Sequence, residues 1–197
     1  MQVKLLKECG YEQAILGMAL SYYREGTSMA EWWTDAQMFK AYKRLNLLAF
    51  KGGGHNKALE SIQTWFLITA SRSFHQELDT YRTGITKNSA STMHTIDKGP
   101  VTAANFEPGT TQVMIDEFNR CICDYKNPDS EYYKDITRLK DNLPEGYLQT
   151  RQVSINYMTL QNIIRQRDKH RLKYWQDFID AVLLQVEHPS LLENRLC

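Results

Sequence analysis

The sequence predicts an α+β fold in which one small sheet is surrounded by helices. Three observations lead to this prediction. Apolar residues recur at helical spacing within residues 11–23, a β-rich run of strand length occupies residues 60–69, and helical spacing returns across residues 154–188. One short strand region between long helical regions is typical of α+β proteins rather than of alternating α/β proteins.

The first half of the chain predicts two helices. Residues 11–23 form the first because their apolar residues follow the i, i+3, i+4 rule; these are Ala14, Ile15, Met18, Ala19 and Tyr22. The second covers residues 31–49. Its inward-facing residues are expected to be Trp32, Trp33, Ala36 and Phe39. The glycines of "KGGGH" end this helix, since they lose too much backbone entropy inside a regular element.

Downstream of the glycines, "ESIQTWFLIT" predicts a strand and "ASRSFHQELDTYR" predicts a helix that leaves it. Residues 80–95, "TYRTGITKNSASTMHT", are crowded with hydrogen-bonding side chains and are expected to form a loop and a short strand. The Gly-Pro and Pro-Gly pairs within residues 97–110 predict a flexible excursion.

The remaining helices are predicted at residues 110–124, 130–140 and 154–188, with a turn at "LPEG" before the last one. The last helix is expected to be interrupted near residues 168–171 and to stop at Pro189.

Composition limits the classes of function. The chain has 197 residues, 42% of them hydrophobic, which suits a single domain over residues 1–197. Its net charge of +1 argues against an extended nucleic-acid-binding surface. No apolar run approaches the roughly 20 residues of a membrane span, and "MQVKLLKECGYEQ" carries charges where a signal peptide has its apolar run. We therefore expect a cytoplasmic protein with no nucleic-acid or membrane partner.

The cysteines and histidines predict neither a metal site nor a thiol nucleophile. Cys9, Cys121, Cys123 and Cys197 lack paired zinc spacing and are expected to be free thiols. No two histidines show zinc-binding spacing. His75 is expected on a helix surface, and His188 has no companion in the sequence.

The last predicted helix carries a mixed stripe. Stepping by four or three residues gives Asn156, Leu160, Ile163, Arg167, His170 and Tyr174. Burial of an unpaired Arg is costly, so Arg167 implies an anionic partner, a salt bridge or a pocket. Alternatively, the helix rotates at that point and Arg167 faces water. The stretch from Arg151 to Lys173 holds six Lys or Arg against one acid, Asp168. It is either a solvated face or a surface for a phosphate-bearing ligand or another subunit.

Several segments together resemble the flavin-dependent thymidylate synthases. In that family a GH-x-[ST] turn precedes a strand, and a helix leads into an R-H-R-x(7)-S motif. The segment "GGGHNKALESIQTWFLITASRSFHQELDTYR" has the same order of parts. "LPEGYLQTRQVSINYMTLQNIIRQRDKH" is similar to the family's LP turn, Asn-rich helix and Arg. The resemblance extends over most of residues 10–186 and implies that the small sheet is antiparallel.

The resemblance also implies a reaction. FAD accepts a hydride from NADPH, methylenetetrahydrofolate donates the carbon, and the pyrimidine deoxynucleotide dUMP is methylated at C5. It implies a homotetramer with active sites at subunit interfaces. Arg167 matches the Arg that binds the pyrimidine and favours negative charge on its ring. Such stabilisation by a fixed cation makes C5 nucleophilic without a cysteine.

Residue by residue, the resemblance implies two sets of contacts. The set expected to contact flavin is His55, Asn56, Tyr81, Arg82, Asn156, Asn162, Gln166 and His170. The set expected to contact the nucleotide is Gln76, Lys87, Ser91, Arg138, Lys140 and Arg167. Ser91 matches the motif serine and, with Arg167, is expected to act in catalysis. Arg138 and Lys140 lie just before "LP", where the family has an Arg for the phosphate.

The chain departs from the family pattern in its cationic residues. It reads Thr80-Tyr81-Arg82 in place of R-H-R, and eight residues rather than seven separate Arg82 from the serine. The positions of two further family arginines are taken by Met93 and Met158. Lys87 and Arg72 are the candidates to supply the missing positive charge.

Three functions therefore remain open at this point: methylation of dUMP, hydroxymethylation of dUMP or dCMP with water completing the reaction, and nucleotide or flavin binding without catalysis. A fourth interpretation is a helical scaffold whose positive run pairs across an oligomer interface. That interpretation does not explain why Asn156, Arg167 and His170 share a stripe with core Leu and Ile residues.

Overall fold

A computed structural model describes residues 1–193 and confirms the predicted α+β fold. Four strands form an open antiparallel sheet, in the order β1-β2-β4-β3. They are β1 Gln2–Cys9, β2 Gln63–Ser71, β3 Ile85–Ser89 and β4 Leu148–Asn156. Cys197, expected to be a free thiol, lies outside the described residues.

Eight α-helices are found within residues 1–193: α1 Tyr11–Ala19, α2 Met29–Trp32, α3 Asp35–Leu48, α4 Arg72–Leu78, α5 Gln112–Lys126, α6 Ile136–Asp141, α7 Tyr157–Arg167 and α8 Lys173–Leu183. Short 3-10 turns lie at Leu20–Tyr22, Lys57–Ser61, Thr92–His94, Ala103–Asn105 and Pro189–Leu191. In this described part of the chain, no helix combines the length and the apolar character that a membrane crossing requires.

Two strands lie where no strand was predicted. β1 lies in the charged N-terminal segment, and β4 extends to Asn156, so the predicted helix over residues 154–188 begins three residues too early. In β4 the buried Val153 and Ile155 alternate with less buried neighbours, which is the period of a strand. Thr64 in β2 donates its hydroxyl to the carbonyl oxygen of Ile155 at 2.7 Å. Pairing with a distant strand therefore sets the start of the last helical region.

The predicted helix over residues 31–49 is two helices with a different inward face. Thr34 caps α3 by accepting a hydrogen bond from the backbone N–H of Gln37 at 3.4 Å, and this cap separates α3 from α2. Phe39 is 58% exposed, so the prediction that it faces inward is wrong, and Ala36 is exposed as well. The buried positions are instead Ala41 and Leu45, because the core contacts a face rotated from the aromatic one.

Residues 97–110 are more regular than predicted, whereas the helix predicted over residues 130–140 is shorter. Within the expected flexible excursion, a capping box between Thr102 and Asn105 closes a 3-10 turn, and the next residue, Phe106, is buried. The helix predicted over residues 130–140 begins only at Ile136, where the Asp135 carboxylate accepts from two backbone N–H groups.

The described chain divides into two compact units. Unit 1 comprises Met1–Gln2, Ile68–Tyr81 and Lys87–Gln152. Its core packs around α5 and α6; the buried members are Ile96, Val101, Phe106, Ile115, Phe118, Cys121, Ile122, Leu139 and Leu143. The prediction of a single domain over residues 1–197 stays a prediction.

Unit 2 comprises Val3–Leu67, Arg82–Thr86 and the described part of Val153–Cys197. Its largest fully buried side chains include Trp175, Tyr157, Phe66 and Phe178. The backbone N–H of Tyr157 donates to the carbonyl oxygen of Ile62 at 3.0 Å, which ties the start of α7 to the turn before β2. The predicted interruption near residues 168–171 is confirmed, since α7 ends at Arg167 and α8 begins at Lys173.

Candidate functional site

The start of α7 in unit 2 holds the segment that follows Tyr81. Asn156 caps α7, its side-chain oxygen accepting from the backbone N–H of Thr159 at 2.9 Å. The backbone N–H of Asn156 donates to the carbonyl oxygen of Gly84 at 3.0 Å. The hydroxyl of Thr159 donates to the carbonyl oxygen of Thr83 at 2.7 Å. Gly84 has φ +67°, and a Cβ there would lie 2.5 Å from both polar side chains. A residue with a side chain cannot adopt this approach without strain.

Polar side chains continue along α7. The side-chain oxygen of Asn162 accepts from Gln166 Nε2 at 3.0 Å and from Arg165 at 3.1 Å. Asn162, Arg165 and Gln166 therefore form a connected polar surface on this helix.

Arg167 ends α7 and is held by two contacts. Its Nη1 lies 2.8 Å from Nε2 of His170, and its guanidinium lies 4.6 Å from the ring centroid of the fully buried Trp175. Because Arg stays protonated, it is the donor to the imidazole. The half-buried Arg167 therefore does not simply face water; the stripe brings Arg167 and His170 into direct contact.

Two cavities of unit 2 contain predicted flavin contacts. One of about 460 Å³ is lined by Gln166, His170 and the charged residues around them. The other, of about 660 Å³, is lined by His55 with α1, α3 and the glycine loop. Asn56, next to His55, donates its side-chain amide to Sδ of Met158 at 3.4 Å. Met158 thus contacts a predicted flavin-binding residue.

In unit 1, three charged residues form a network beside Tyr81. Arg151 donates to both carboxylate oxygens of Asp79 at 2.9 Å. Lys87 Nζ donates to the carbonyl oxygen of Tyr81 at 2.8 Å and lies 3.4 Å from Asp79. Partial burial alone would raise the pKa of Asp79, but Arg151 and Lys87 together hold it below its ordinary value. Lys87, a predicted phosphate contact, is thus fixed by protein groups at the base of the polar loop.

The other predicted nucleotide contacts of unit 1 also have protein partners. Lys140 donates to the hydroxyl of Thr92, the residue after the exposed Ser91. Gln76 donates to Glu145 at 3.0 Å. Arg138 pairs with Asp124 at 3.0 Å and stacks over the Tyr132 ring at 3.4 Å.

Arg72, a candidate for the missing cation, donates to the carbonyl oxygen of Leu143 at 2.6 Å. Its guanidinium also lies 3.5 Å from the carboxylate of Glu145. Arg72 is therefore anchored to the turn before β4, in the same unit as Ser91 and Lys140.

Two histidines differ from their predictions. His75 is fully buried in α4 rather than exposed, and its Nε2 lies 2.8 Å from the carbonyl oxygen of Gln149. The strand that supplies this carbonyl was not predicted, which is why the burial of His75 was missed. His188 does have companions: its ring stacks on Tyr11 with the centroids 3.7 Å apart, and it lies near the carboxylates of Glu8 and Glu187.

The chain resembles solved structures over almost its whole length. It is similar to a crystal structure of the flavin-dependent thymidylate synthase ThyX from Helicobacter pylori complexed with FAD and dUMP. The TM-score is 0.77 at 20% sequence identity, and the match covers 100% of both chains. A second structure of ThyX from Helicobacter pylori with FAD and dUMP matches with a TM-score of 0.75 at 20% identity, covering 98% of each chain. No protein-family model matches the chain, and no curated protein matches its sequence.

These matches show the fold. The chain has the fold of flavin-dependent thymidylate synthases, as the sequence resemblance implied. The roles of the individual residues stay predictions. Of the predicted flavin contacts, unit 2 contains His55, Asn56, Arg82, Asn156, Asn162, Gln166 and His170, together with Arg167. Tyr81 belongs to unit 1, as do the nucleotide contacts Gln76, Lys87, Ser91, Arg138 and Lys140.

Sequence reasoning missed the two residues that hold the loop against α7, Gly84 and Thr159. Asn156 is a favoured residue type for a helix N-cap, but no sequence pattern indicated that the Thr159 hydroxyl bonds to Thr83. Gly84 carried a weaker signal, because a lone glycine in a polar loop is common.

Proposed function

We propose that this protein methylates dUMP at C5 to give dTMP, with FAD as its cofactor and NADPH and methylenetetrahydrofolate as co-substrates. The observation that carries this proposal is Arg167, a fixed and half-buried cation at the end of α7 in a chain with this fold. We also propose that the chain acts as a cytoplasmic homotetramer with its sites at subunit interfaces, as the sequence resemblance implies.

The residues present suit a flavin. Its ring edge carries hydrogen-bond donors and acceptors. Asn162 and Gln166 on α7 and His170 just after it offer amide and imidazole groups of both kinds. His55 lines the second cavity of the same unit, where three glycines leave room for a ligand to approach the backbone. When bound, FAD supplies the hydride chemistry, and the protein supplies binding and orientation.

Arg167 would stabilise negative charge on the pyrimidine. A guanidinium stays positive throughout the reaction, and its contacts with His170 and Trp175 fix its position before the substrate arrives. A preorganised charge needs no reorganisation when the ring charge develops, and this is the main source of electrostatic catalysis. Charge drawn onto the ring oxygens and nitrogens makes C5 the nucleophile.

The nucleotide phosphate would be held in unit 1. Lys140, Lys87 and Arg138 supply positive charge there, and the backbone and hydroxyl groups around Ser91 supply hydrogen bonds. Lys holds phosphate as a point charge, whereas Arg can do so bidentately. The sequence resemblance places Met93 and Met158 where the family has arginines, so we expect Lys87 to be an important remaining cation.

Three measurements test the proposal. The purified full-length protein should carry or take up FAD, and it should release the C5 proton of dUMP when methylenetetrahydrofolate and NADPH are added. The mass of the product distinguishes methylation from hydroxymethylation, and dCMP is tested in parallel. A colourless protein that ignores added FAD would contradict the proposal, and FAD binding without turnover would support a non-catalytic binding protein.

Substitution of Arg167 tests its role. Arg167→Ala should lower kcat by on the order of 10²–10³-fold while FAD binding is retained. Arg24→Ala, which removes an exposed Arg of the same unit that lines neither cavity, is the control and should leave kcat unchanged. Equal activity of the two variants would rule out Arg167 as the stabilising cation.

Lys87→Ala tests the phosphate contact. It should raise the Kd of dUMP by about tenfold or more, since a charge-assisted bond contributes roughly 1.5–3 kcal/mol. Lys98→Ala removes an exposed Lys of the same unit and serves as control. An unchanged Kd in Lys87→Ala would show that Lys87 acts only within its network with Asp79.

A further inference from the structure

Three potential metal ligands from opposite ends of the chain meet within unit 2. Glu8 lies in β1, and Glu187 and His188 follow α8. One carboxylate oxygen of each Glu and one ring nitrogen of His188 all lie within 4.8 Å of one another. Histidine spacing in the sequence could not indicate this cluster, because Glu8 and Glu187 are 179 positions apart.

The carboxylate of Glu8 is held in place by two hydrogen bonds. The hydroxyl of Tyr157 donates to Oε1 at 2.5 Å, and the backbone N–H of Glu187 donates to Oε2 at 3.0 Å. Each carboxylate oxygen has two lone pairs, so each can still bind a cation.

The ring of His188 is also held. It stacks on the ring of Tyr11 with centroids 3.7 Å apart and planes 22° apart. The backbone N–H of His188 donates to the Tyr157 hydroxyl at 3.3 Å. Tyr157 thus contacts both Glu8 and His188, and outer contacts of this kind are what fix metal ligands in their binding orientation.

The two carboxylates of this cluster repel each other, and a divalent cation between them would turn that repulsion into attraction. A mixed set of one imidazole and two carboxylates suits Zn²⁺, whereas Ca²⁺ and Mg²⁺ prefer sites made of oxygen ligands. The exposed side chain of Glu187 can rotate to bring its oxygen within the 2.0–2.2 Å or so of a zinc–oxygen bond.

We propose that Glu8, Glu187 and His188 bind one Zn²⁺ per chain, with water as the fourth ligand. The ion would join β1 to the segment after α8, two elements far apart in sequence. Because it binds only when these elements are folded together, it should raise the thermal stability of the protein. None of the three residues belongs to the proposed flavin or nucleotide contacts, so this site is separate from the proposed reaction.

Calorimetric titration of ZnCl₂ into the tag-free, EDTA-treated full chain tests the proposal. Wild type should bind one Zn²⁺ per chain and should unfold at a higher temperature with Zn²⁺ than without it. Glu187→Gln and His188→Ala should each bind Zn²⁺ at least about tenfold more weakly and lose the rise in Tm. Both variants alter side chains at or near the surface, and their Tm in EDTA shows that they fold.

Two control variants decide which residues bind the ion. Glu25→Gln removes an exposed carboxylate of the same unit and should bind Zn²⁺ like wild type. Cys9→Ser removes the exposed thiol next to Glu8 and should also bind like wild type. The proposal is overturned if wild type binds no Zn²⁺, if Glu187→Gln and His188→Ala bind it unchanged, or if Cys9→Ser abolishes binding.

Discussion

His75 should make the stability of this protein depend on pH. It lies fully buried in α4, with its Nε2 2.8 Å from the carbonyl oxygen of Gln149. Burial lowers its pKa from the ordinary value of 6.5 to about 4, and the nearby cations Arg151 and Lys87 add to the decrease. At neutral pH the folded protein therefore holds a neutral imidazole that donates its Nε2–H to Gln149.

The sign of the effect follows from proton binding in the two states. The unfolded chain takes up a proton on this ring near pH 6.5, whereas the folded protein does so only near pH 4. Between these values the unfolded state binds more protons, so the free energy of unfolding falls as the pH is lowered. Below about pH 4, His75 causes no further decrease in the free energy of unfolding. The shift corresponds to roughly 2 kcal/mol between about pH 7 and about pH 5.

Urea unfolding followed by tryptophan fluorescence at those two pH values measures the effect. His75→Gln keeps a side-chain N–H donor but cannot titrate, so its loss of stability on acidification should be smaller than that of wild type by roughly 2 kcal/mol. The other titrating groups are the same in the two proteins, so their contributions to the change in stability cancel in this comparison. His94→Gln, at an exposed histidine, should behave like wild type. Equal losses in wild type and His75→Gln would refute the reasoning.

Three further substitutions test how the fold is held together, each measured by urea unfolding. Gly84→Ala should cost about 2 kcal/mol or more, because φ is +67° and the added Cβ would lie 2.5 Å from the residues that start α7. Gly26→Ala, which also has positive φ but open space around it, should cost less; equal costs would exclude the clash. Asp135→Ala removes the cap of α6 and should cost about 1 kcal/mol, and no loss would show that the cap is dispensable. Phe118→Ala in the core of unit 1 should cost about 3–5 kcal/mol, against less than about 0.5 kcal/mol for the exposed Val113→Ala.

The polar stretch at residues 80–95 contains the short strand that was predicted there, β3. Its hydrogen-bonding groups are used in different ways: Gly84 and Thr83 bond to α7, Ile85–Ser89 form β3, and Lys87 joins the network with Asp79. No single periodicity describes these roles, because the partners of each residue come from distant parts of the chain.

Local spacing by itself determined most of the helical regions and the break between α7 and α8. It misplaced the boundaries of the helices predicted over residues 31–49 and 130–140. Helical periodicity depends only on residues that are close in sequence, so it can be recognised without the rest of the chain. The order of the motifs along the sequence is also similar to that of the flavin-dependent thymidylate synthases. This resemblance implied the fold that the comparison with solved structures supports.

Only the tertiary structure decided the strands β1 and β4, the burial of His75 and the meeting of Glu8 with His188. A strand is stabilised by hydrogen bonds to a partner that is distant in sequence, and its own residues need not show a strong pattern. The burial of His75 and the cluster at Glu8 likewise depend on which distant segments pack together. Periodicity describes one element at a time, so it contains no information about that packing.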